Sequence, residues 1–320
     1  MDAALFAAAA ASAAVWLRWR RAAAAAADQQ RRDRRPNHEV HIADPAAFAA
    51  TADAIVAGGT ASLTVILDFD RTITTHYFDD GFERGATCHG IIESTRGAGL
   101  LARARELNDY YYPLEIDPDT PLAAKVPLME EWYTKVHELL IADGMHRDDV
   151  PASVAVARLR LRPGVPELFD WCARHAVPLL VFSAGIGDVL VEVLRQRLPG
   201  GLPPCVHVVS NMMRFDPASG ALVGFSDLIH MFNKHAGVLD PATLRALSDR
   251  PCVLLAGDSL GDASMAEGLP AVAHELRFGF LNDASTAGRL LPQFVARFDC
   301  VLTDDAPATP LLQLLQRIAP

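Results

Sequence analysis

The chain has 320 residues, 51% of them hydrophobic and 21% charged, with 21 glycines and 21 prolines; it can bury a core unaided, which excludes a collagen-like, disulfide-scaffold or wholly disordered chain. A net charge of −10 repels polyanions, so no nucleic acid polymer is expected as a partner. A small phosphate ester is not excluded, because one lysine, backbone amides and a divalent cation can hold it inside an acidic protein. The cysteines Cys88, Cys172, Cys205, Cys252 and Cys300 are odd in number and form no C-x-x-C, which reads as reduced thiols of an intracellular protein. Cys88-His89 has no second ligand pair at zinc spacing and reads as structural.

Residues 1–40 carry a net charge of +3 against −13 for the remainder, and Ala3 to Leu17 is an uncharged run of fifteen. As a helix that run spans about 22 Å, short of a hydrocarbon core of about 30 Å. Trp16, Trp19 and the following arginines suit an interfacial anchor, so a weak membrane association through residues 3–21 is one expectation. An organellar transit peptide and a plain Ala-rich extension are equal alternatives. Compact patterning begins near His38. Asp44-Pro45 predicts the N-cap and first residue of a helix to Val56, ended by Gly58-Gly59.

Leu63 to Phe69, Val177 to Phe182, Val206 to Ser210 and Cys252 to Ala256 are short apolar runs that predict strands buried on both faces. Helical patterns over Val165–His175, Gly187–Leu198 and Pro241–Leu247 alternate with them. That alternation predicts a parallel α/β sheet with its ligand at the C-terminal strand ends. Residues 79–160 carry helical spacing without a long apolar strand. The expected organisation is therefore an α/β core over 41–78 and 161–320, with an inserted helical cap domain over 79–160.

The candidate chemistry sits at those strand ends. Asp68-Phe69-Asp70-Arg71-Thr72 places two carboxylates at i and i+2, one able to attack or bind metal while the other handles a proton. Ser183-Ala184-Gly185 offers a hydroxyl and amides in a tight turn before a helix. Asn233-Lys234-His235 supplies a cation. Gly257-Asp258-Ser259-Leu260-Gly261-Asp262 adds two acids before a helix expected near Ala263. Each has an ordinary structural explanation alone; their ordered occurrence is the signal.

These four motifs resemble those of the haloacid dehalogenase superfamily of phosphotransferases. Longer stretches, Leu107-Asn108-Asp109-Tyr110-Tyr111-Tyr112-Pro113-Leu114-Glu115, Met129-Glu130-Glu131-Trp132-Tyr133, Phe182-Ser183-Ala184-Gly185-Ile186-Gly187-Asp188, Ile229-His230-Met231-Phe232-Asn233-Lys234 and Phe278-Gly279-Phe280-Leu281-Asn282-Asp283, resemble the cytosolic 5'-nucleotidase III (pyrimidine 5'-nucleotidase) family over roughly residues 62 to 318. The resemblance implies a Rossmann-like core with a helical cap and Mg2+-dependent hydrolysis of nucleoside 5'-monophosphates. Asp68 would be the nucleophile, forming an aspartyl phosphate, and Asp70 the general acid and base. Asp68, the Asp70 backbone carbonyl and Asp258 would hold the metal, with Asp262 ordering those ligands from behind. Ser183, Ala184, Gly185 and Lys234 would bind the phosphate.

Glu115, Tyr133 and Trp132 are the base-binding candidates implied by the resemblance. Trp132 and Tyr133 cannot share one helical face, and Trp132, in register with Leu128 and Val136, is the one expected in the core. Val136 stands where some pyrimidine-preferring relatives carry a serine, which leaves CMP, UMP and 7-methylguanosine monophosphate open as substrates. The expected protein is a cytoplasmic monomer, or one anchored or targeted through residues 1–40. The competing readings are a phosphatase of another small phosphomonoester and a non-catalytic nucleotide-binding protein. Phosphotransfer to a nucleoside is a side activity of the leading reading.

Overall fold

A computed structural model describes residues 37–78, 83–117 and 120–320. The sequence-based expectations for residues 3–21, and for all of the extension up to position 36, fall outside the described residues.

The strands are β1 (Val40–Ile42), β2 (Leu63–Leu67), β3 (Leu179–Ile186), β4 (Val206–Asn211), β5 (Met213–Phe215), β6 (Leu222–Phe225), β7 (Cys252–Gly257), β8 (His274–Leu281) and β9 (Cys300–Thr303). Seven of them form one sheet in the order β1-β9-β8-β7-β2-β3-β4, parallel except for the edge strand β1, which runs antiparallel to β9. The chain proceeds outward from β2 through β3 and β4, then returns to β7 on the other side. The carboxyl end of β2 therefore lies at the point where the strand order reverses, where such sheets bind ligands. Every residue of β2 is buried, and its side chains alternate between two apolar clusters. Val65 and Leu67 enter one with Leu179 and Val181, while Ile66 enters the other with Leu180 and Phe182, as the period of two requires.

The helices are α1 (Pro45–Gly58), α2 (Cys88–Thr95), α3 (Ala98–Ile116), α4 (Leu122–Ala142), α5 (Asp149–Val156), α6 (Val165–Arg174), α7 (Gly187–Arg197), α8 (Pro241–Leu247), α9 (Ala284–Val295) and α10 (Thr309–Ile318). Asp44 caps α1 by accepting from the Ala46 and Ala47 amides, both at 3.0 Å, and Asp240 caps α8 in the same way. Helix α1 runs two residues beyond the expected Val56, a normal variation at a fraying end. Helices α2 to α5 follow one another between Cys88 and Val156. Their buried side chains Ile91, Leu100, Leu139 and Val154 continue the same apolar cluster that covers one sheet face. The hairpin of β5 and β6, which the sequence reading did not anticipate, packs on α4 with the His137 ring stacked 3.7 Å from Phe225.

One expected element is corrected: no helix begins near Ala263, where Asp262–Ser264 forms a single 3-10 turn. Strands β8 and β9 were also not anticipated. In β8 the charged residues Glu275 and Arg277 interrupt the apolar run and pair at 2.7 Å, and β9 has only four residues. Among the described residues no helix is long and apolar enough to cross a membrane.

Candidate active site

Asp68 leaves β2 with its amide bonded to the Ala256 carbonyl of β7 at 3.0 Å, so two adjacent strands fix the start of the loop. The residue is 6% exposed, and its carboxylate accepts from the Lys234 ammonium at 2.7 Å. The same ammonium donates to Asp262 at 2.5 Å. The other Asp262 oxygen accepts from the Asp258 amide at 3.1 Å, the Ser259 amide at 2.9 Å and the Ser259 hydroxyl at 2.8 Å. Asp262 is thus consumed in holding Lys234 and the 258–259 loop. Gly257 is required beside it: a Cβ there would lie 2.1 Å from Asp262 Cβ. Gly261 is confined by the Met231 carbonyl, 2.5 Å from where its Cβ would be.

Asp70 has a different partner. Its carboxylate accepts from the Cys88 amide at 3.0 and 3.3 Å, and Cys88 is the first residue of α2, capped by Thr87. An unpaired amide and the positive end of a helix dipole therefore face this carboxylate. Burial still pushes Asp70 up to about 6, with the Cys88 amide opposing. For Asp68 burial is again the largest cause; Lys234 opposes it and Asp262 and Asp70 repel, leaving the group at about 7. Asp258 is raised by burial and by Asp68 and Asp262.

Carboxylate oxygens of Asp68, Asp258 and Asp262 lie within 4.8 Å of one another. Three carboxylates against one ammonium leave excess negative charge in a largely buried site, which a hard, oxygen-liganded divalent cation would neutralise. The donor set fits such an ion. Only Asp68 and Asp258 keep carboxylate oxygens that are not committed to Lys234 and the 258–259 loop.

Ser183, Ala184 and Gly185 are not a turn after β3, as expected, but lie within it where its register with β4 shifts. Ser183 is buried, and its hydroxyl accepts from the Gly185 amide at 3.0 Å. Asn211, at the end of β4, donates to the carbonyls of Ala184 at 2.9 Å and Ile229 at 2.8 Å. It thereby joins the serine loop to the segment leading to Lys234. The sequence reading missed Asn211, although its strand-end position was a usable signal.

A cavity of about 880 Å3 connects these groups with α3 and α4, within the range of small-molecule sites. Glu115, Trp132 and Tyr133 all line it beside Asp68, Asp70, Ser183 and Lys234. The expectation that Trp132 belongs to the core is therefore corrected. It is half-buried and faces the cavity, with its indole stacked on the buried Tyr111 at 5.8 Å and 11°. Neighbouring positions on a helix differ by about 100°, and the cavity covers enough of α4 to take both rings. Burial raises Glu115 to about 7, with Arg71 and Lys125 opposing. His76 also lines the cavity and is lowered to about 4, chiefly by burial.

The pyrimidine 5'-nucleotidase (UMPH-1) family model matches residues 71–319. The chain is 40% identical over 270 residues to the 7-methylguanosine phosphate-specific 5'-nucleotidase of Gallus gallus, covering 83% of this chain and 91% of that protein. It is 35% identical over 265 residues to the Homo sapiens protein of the same name, covering 82% and 86%. The crystal structure of cytosolic 5'-nucleotidase IIIB bound to cytidine superposes with a TM-score of 0.78 at 34% identity, over 87% of this chain and 93% of that one. Together with the parallel α/β sheet and its strand-end carboxylates, these likenesses define a phosphoric monoester hydrolase. Within that class the chain belongs to the pyrimidine 5'-nucleotidase family and is a 5'-nucleotidase.

Proposed function

We propose that the protein hydrolyses 7-methylguanosine 5'-monophosphate in preference to CMP and UMP, with Asp68 as nucleophile and Asp70 as general acid and base. The observation that carries the base preference is the Glu115 carboxylate, which shares one cavity with the Trp132 and Tyr133 rings. A 7-methylguanine is a cationic ring with adjacent N–H donors. A carboxylate accepts from those donors and balances the charge, while aromatic faces attract the cation. A neutral pyrimidine uses less of this arrangement. Relatives named 7-methylguanosine phosphate-specific support the reading.

In the first step an Asp68 oxygen bonds to phosphorus, the bond to the 5'-oxygen breaks, and that oxygen takes a proton from Asp70. Water then attacks the aspartyl phosphate, gives its proton to Asp70 and releases phosphate with Asp68 restored. Lys234 holds Asp68 in place for attack and, with Ser183, faces the charge developing on the phosphoryl oxygens. Asp68, Asp258 and the Asp70 carbonyl would hold a divalent cation such as Mg2+, which would supply further neutralisation of the phosphate. The Ala184 and Gly185 amides join the phosphate site if the Gly185 amide exchanges its Ser183 bond for substrate. Helices α2 to α5 act as the cap that carries base recognition, and the protein works as a cytoplasmic monomer.

The test is phosphate release from 7-methylguanosine monophosphate, CMP, UMP, AMP, phosphoserine and glucose 6-phosphate, with Mg2+ or EDTA, beside Asp68→Asn. The expected result is the highest kcat/KM for 7-methylguanosine monophosphate and no turnover with EDTA or with the variant. Faster turnover of CMP or UMP overturns the base assignment, and an active Asp68→Asn overturns the nucleophile. Turnover of non-nucleotides alone overturns the role given to Glu115 and the aromatic pair.

A further inference from the structure

The loop that carries Asp70 leaves β2 with Arg71 in the left-handed region, φ 65°, and its main-chain carbonyls converge on one side chain. Arg162 is fully buried. Its Nε donates to the Thr72 carbonyl at 2.7 Å, and its Nη2 donates to the carbonyls of Arg71 and Thr74 and to Asn282 Oδ1 at 2.9 Å. Its Nη1 donates to the Ala306 carbonyl at 2.6 Å and pairs with Asp305 at 3.2 Å. The guanidinium face lies 3.9 Å over the Phe280 ring. Asn282 adds a second bond to the Arg71 carbonyl at 2.9 Å, and Asp305 accepts the amides of His76 and Tyr77 at 2.9 and 3.1 Å.

Arg162 also stands where the chain returns from the helical insertion. The outgoing and returning segments are bonded to each other, Arg162 N to the Ile73 carbonyl at 2.8 Å, Thr75 N to the Arg160 carbonyl at 3.0 Å and Ala86 N to the Arg158 carbonyl at 3.0 Å. One planar fork therefore fixes the turn behind Asp70 and the two connections of α2 to α5 with the sheet. Lysine, a point donor on a flexible stem, cannot satisfy this set. Carbonyls left without donors in a dry pocket turn away to find others, and the Asp70 to Thr72 peptides move with them.

We propose that Arg162 is a positioning residue of the hydrolysis, setting the orientation of Asp70 and locking the connections of the helical insertion to it. The inference rests on the reading that Asp70 acts in the reaction. The measurements are kcat and KM per folded molecule for Arg162→Met and Arg162→Lys in the full chain, using the nucleotide that the wild type hydrolyses, with hydrogen exchange of residues 71–78. Arg250→Met is the control. It removes another arginine bonded to main-chain carbonyls, those of Thr60 and Leu63, both at 2.9 Å, at the opposite end of β2.

Arg162→Met is expected to lower kcat about 10- to 100-fold, as misplacement of a reacting group does, with KM changed less than about threefold. Exchange in 71–78 accelerates, Arg162→Lys recovers part of kcat, and Arg250→Met keeps kcat despite a similar loss of Tm. Unchanged kcat in Arg162→Met, or an equal loss of kcat in Arg250→Met, overturns the proposal. Should Arg162→Met not fold, Asn282→Ala, which removes the second donor to the Arg71 carbonyl, carries the same comparison. Asp70→Asn measured alongside separates failure of the Asp70 reading, in which that variant stays active, from failure of this one.

Discussion

Replacing Asp70 by Asn is expected to make the metal-free protein more stable at neutral pH while abolishing turnover. Burial raises Asp70 from 3.8 to about 6, so the fold favours the protonated form, by about 3 kcal/mol over the ionised one. The residue is half-buried, and screening reduces the figure to about 2 kcal/mol. A carboxyl raised by folding contributes stability that is fully present below its unfolded value of 3.8 and is lost as pH rises through about 6. Asn has no charge to bury and still accepts the Cys88 amide through Oδ1, so it keeps at high pH what the wild type loses. At about 2 °C per kcal/mol for a chain of this size, Tm should rise about 4 °C at pH 8, and the two proteins should converge near pH 4. Thermal unfolding of both proteins in EDTA across this range is the assay. A Tm difference independent of pH, or a variant less stable at pH 8, refutes the reasoning. The gain in stability with loss of function is the trade expected where a site keeps an ionisable group in an unfavourable place.

Lys234→Met leaves Asp68 and Asp262 buried without their shared cation and should cost about 3–5 kcal/mol in denaturant unfolding, with the loss shrinking in acid as the carboxylates protonate. Glu115→Gln should raise KM for 7-methylguanosine monophosphate about 10- to 100-fold, the value of a charge-assisted bond, and leave kcat on CMP nearly unchanged in steady-state assays. In Gly257→Ala the new Cβ must displace Asp262, so phosphate release should fall far more than Tm; an active variant would show that Asp262 can move. Mg2+ at about 100 times its Kd should stabilise the wild type by about 2.7 kcal/mol, read as a rise in Tm. Asp258→Asn should lose most of that rise.

The carboxylate-lined half of the cavity was legible because its residues obey a local rule: Asp68, Asp70 and Asp258 follow short apolar runs, and a parallel sheet brings such ends together. Lys234 is placed by its motif and not by any strand. The misreading of Trp132 has a geometric cause, since a helical wheel ranks faces by their apolar neighbours and carries no information about how wide a cavity the helix borders. Arg162, Asn282 and Asp305 were illegible for another reason. Apart from the contacts these three side chains make with one another, their partners are main-chain carbonyls and amides 88 to 229 positions away, and a carbonyl has no residue type to recognise. The β5–β6 hairpin was passed over because its strands have three and four residues, too short for period-two patterning to register.

Asp68 and Asp70 are the same residue type two positions apart, and their different partners suit them to the different roles proposed for them. Asp68 sits among Asp258, Asp262 and Lys234, so a positive charge brought to that cluster favours the ionised form that the proposed attack on phosphorus requires. Asp70 lies outside the cluster, held by one neutral amide at the start of α2. Burial raises its proton affinity while the Cys88 amide, Arg71 and Lys234 oppose, leaving it at about 6, close enough to neutrality for the two proton transfers proposed for it. The difference follows from what surrounds each acid: β2 carries both, β7 and the Lys234 segment place two carboxylates and an ammonium against the first, and the second takes its hydrogen bonds from the N-terminus of α2, with Arg71 and Lys234 acting on it through charge. Exchanging those surroundings, and not the carboxylates themselves, is what would exchange the proposed roles.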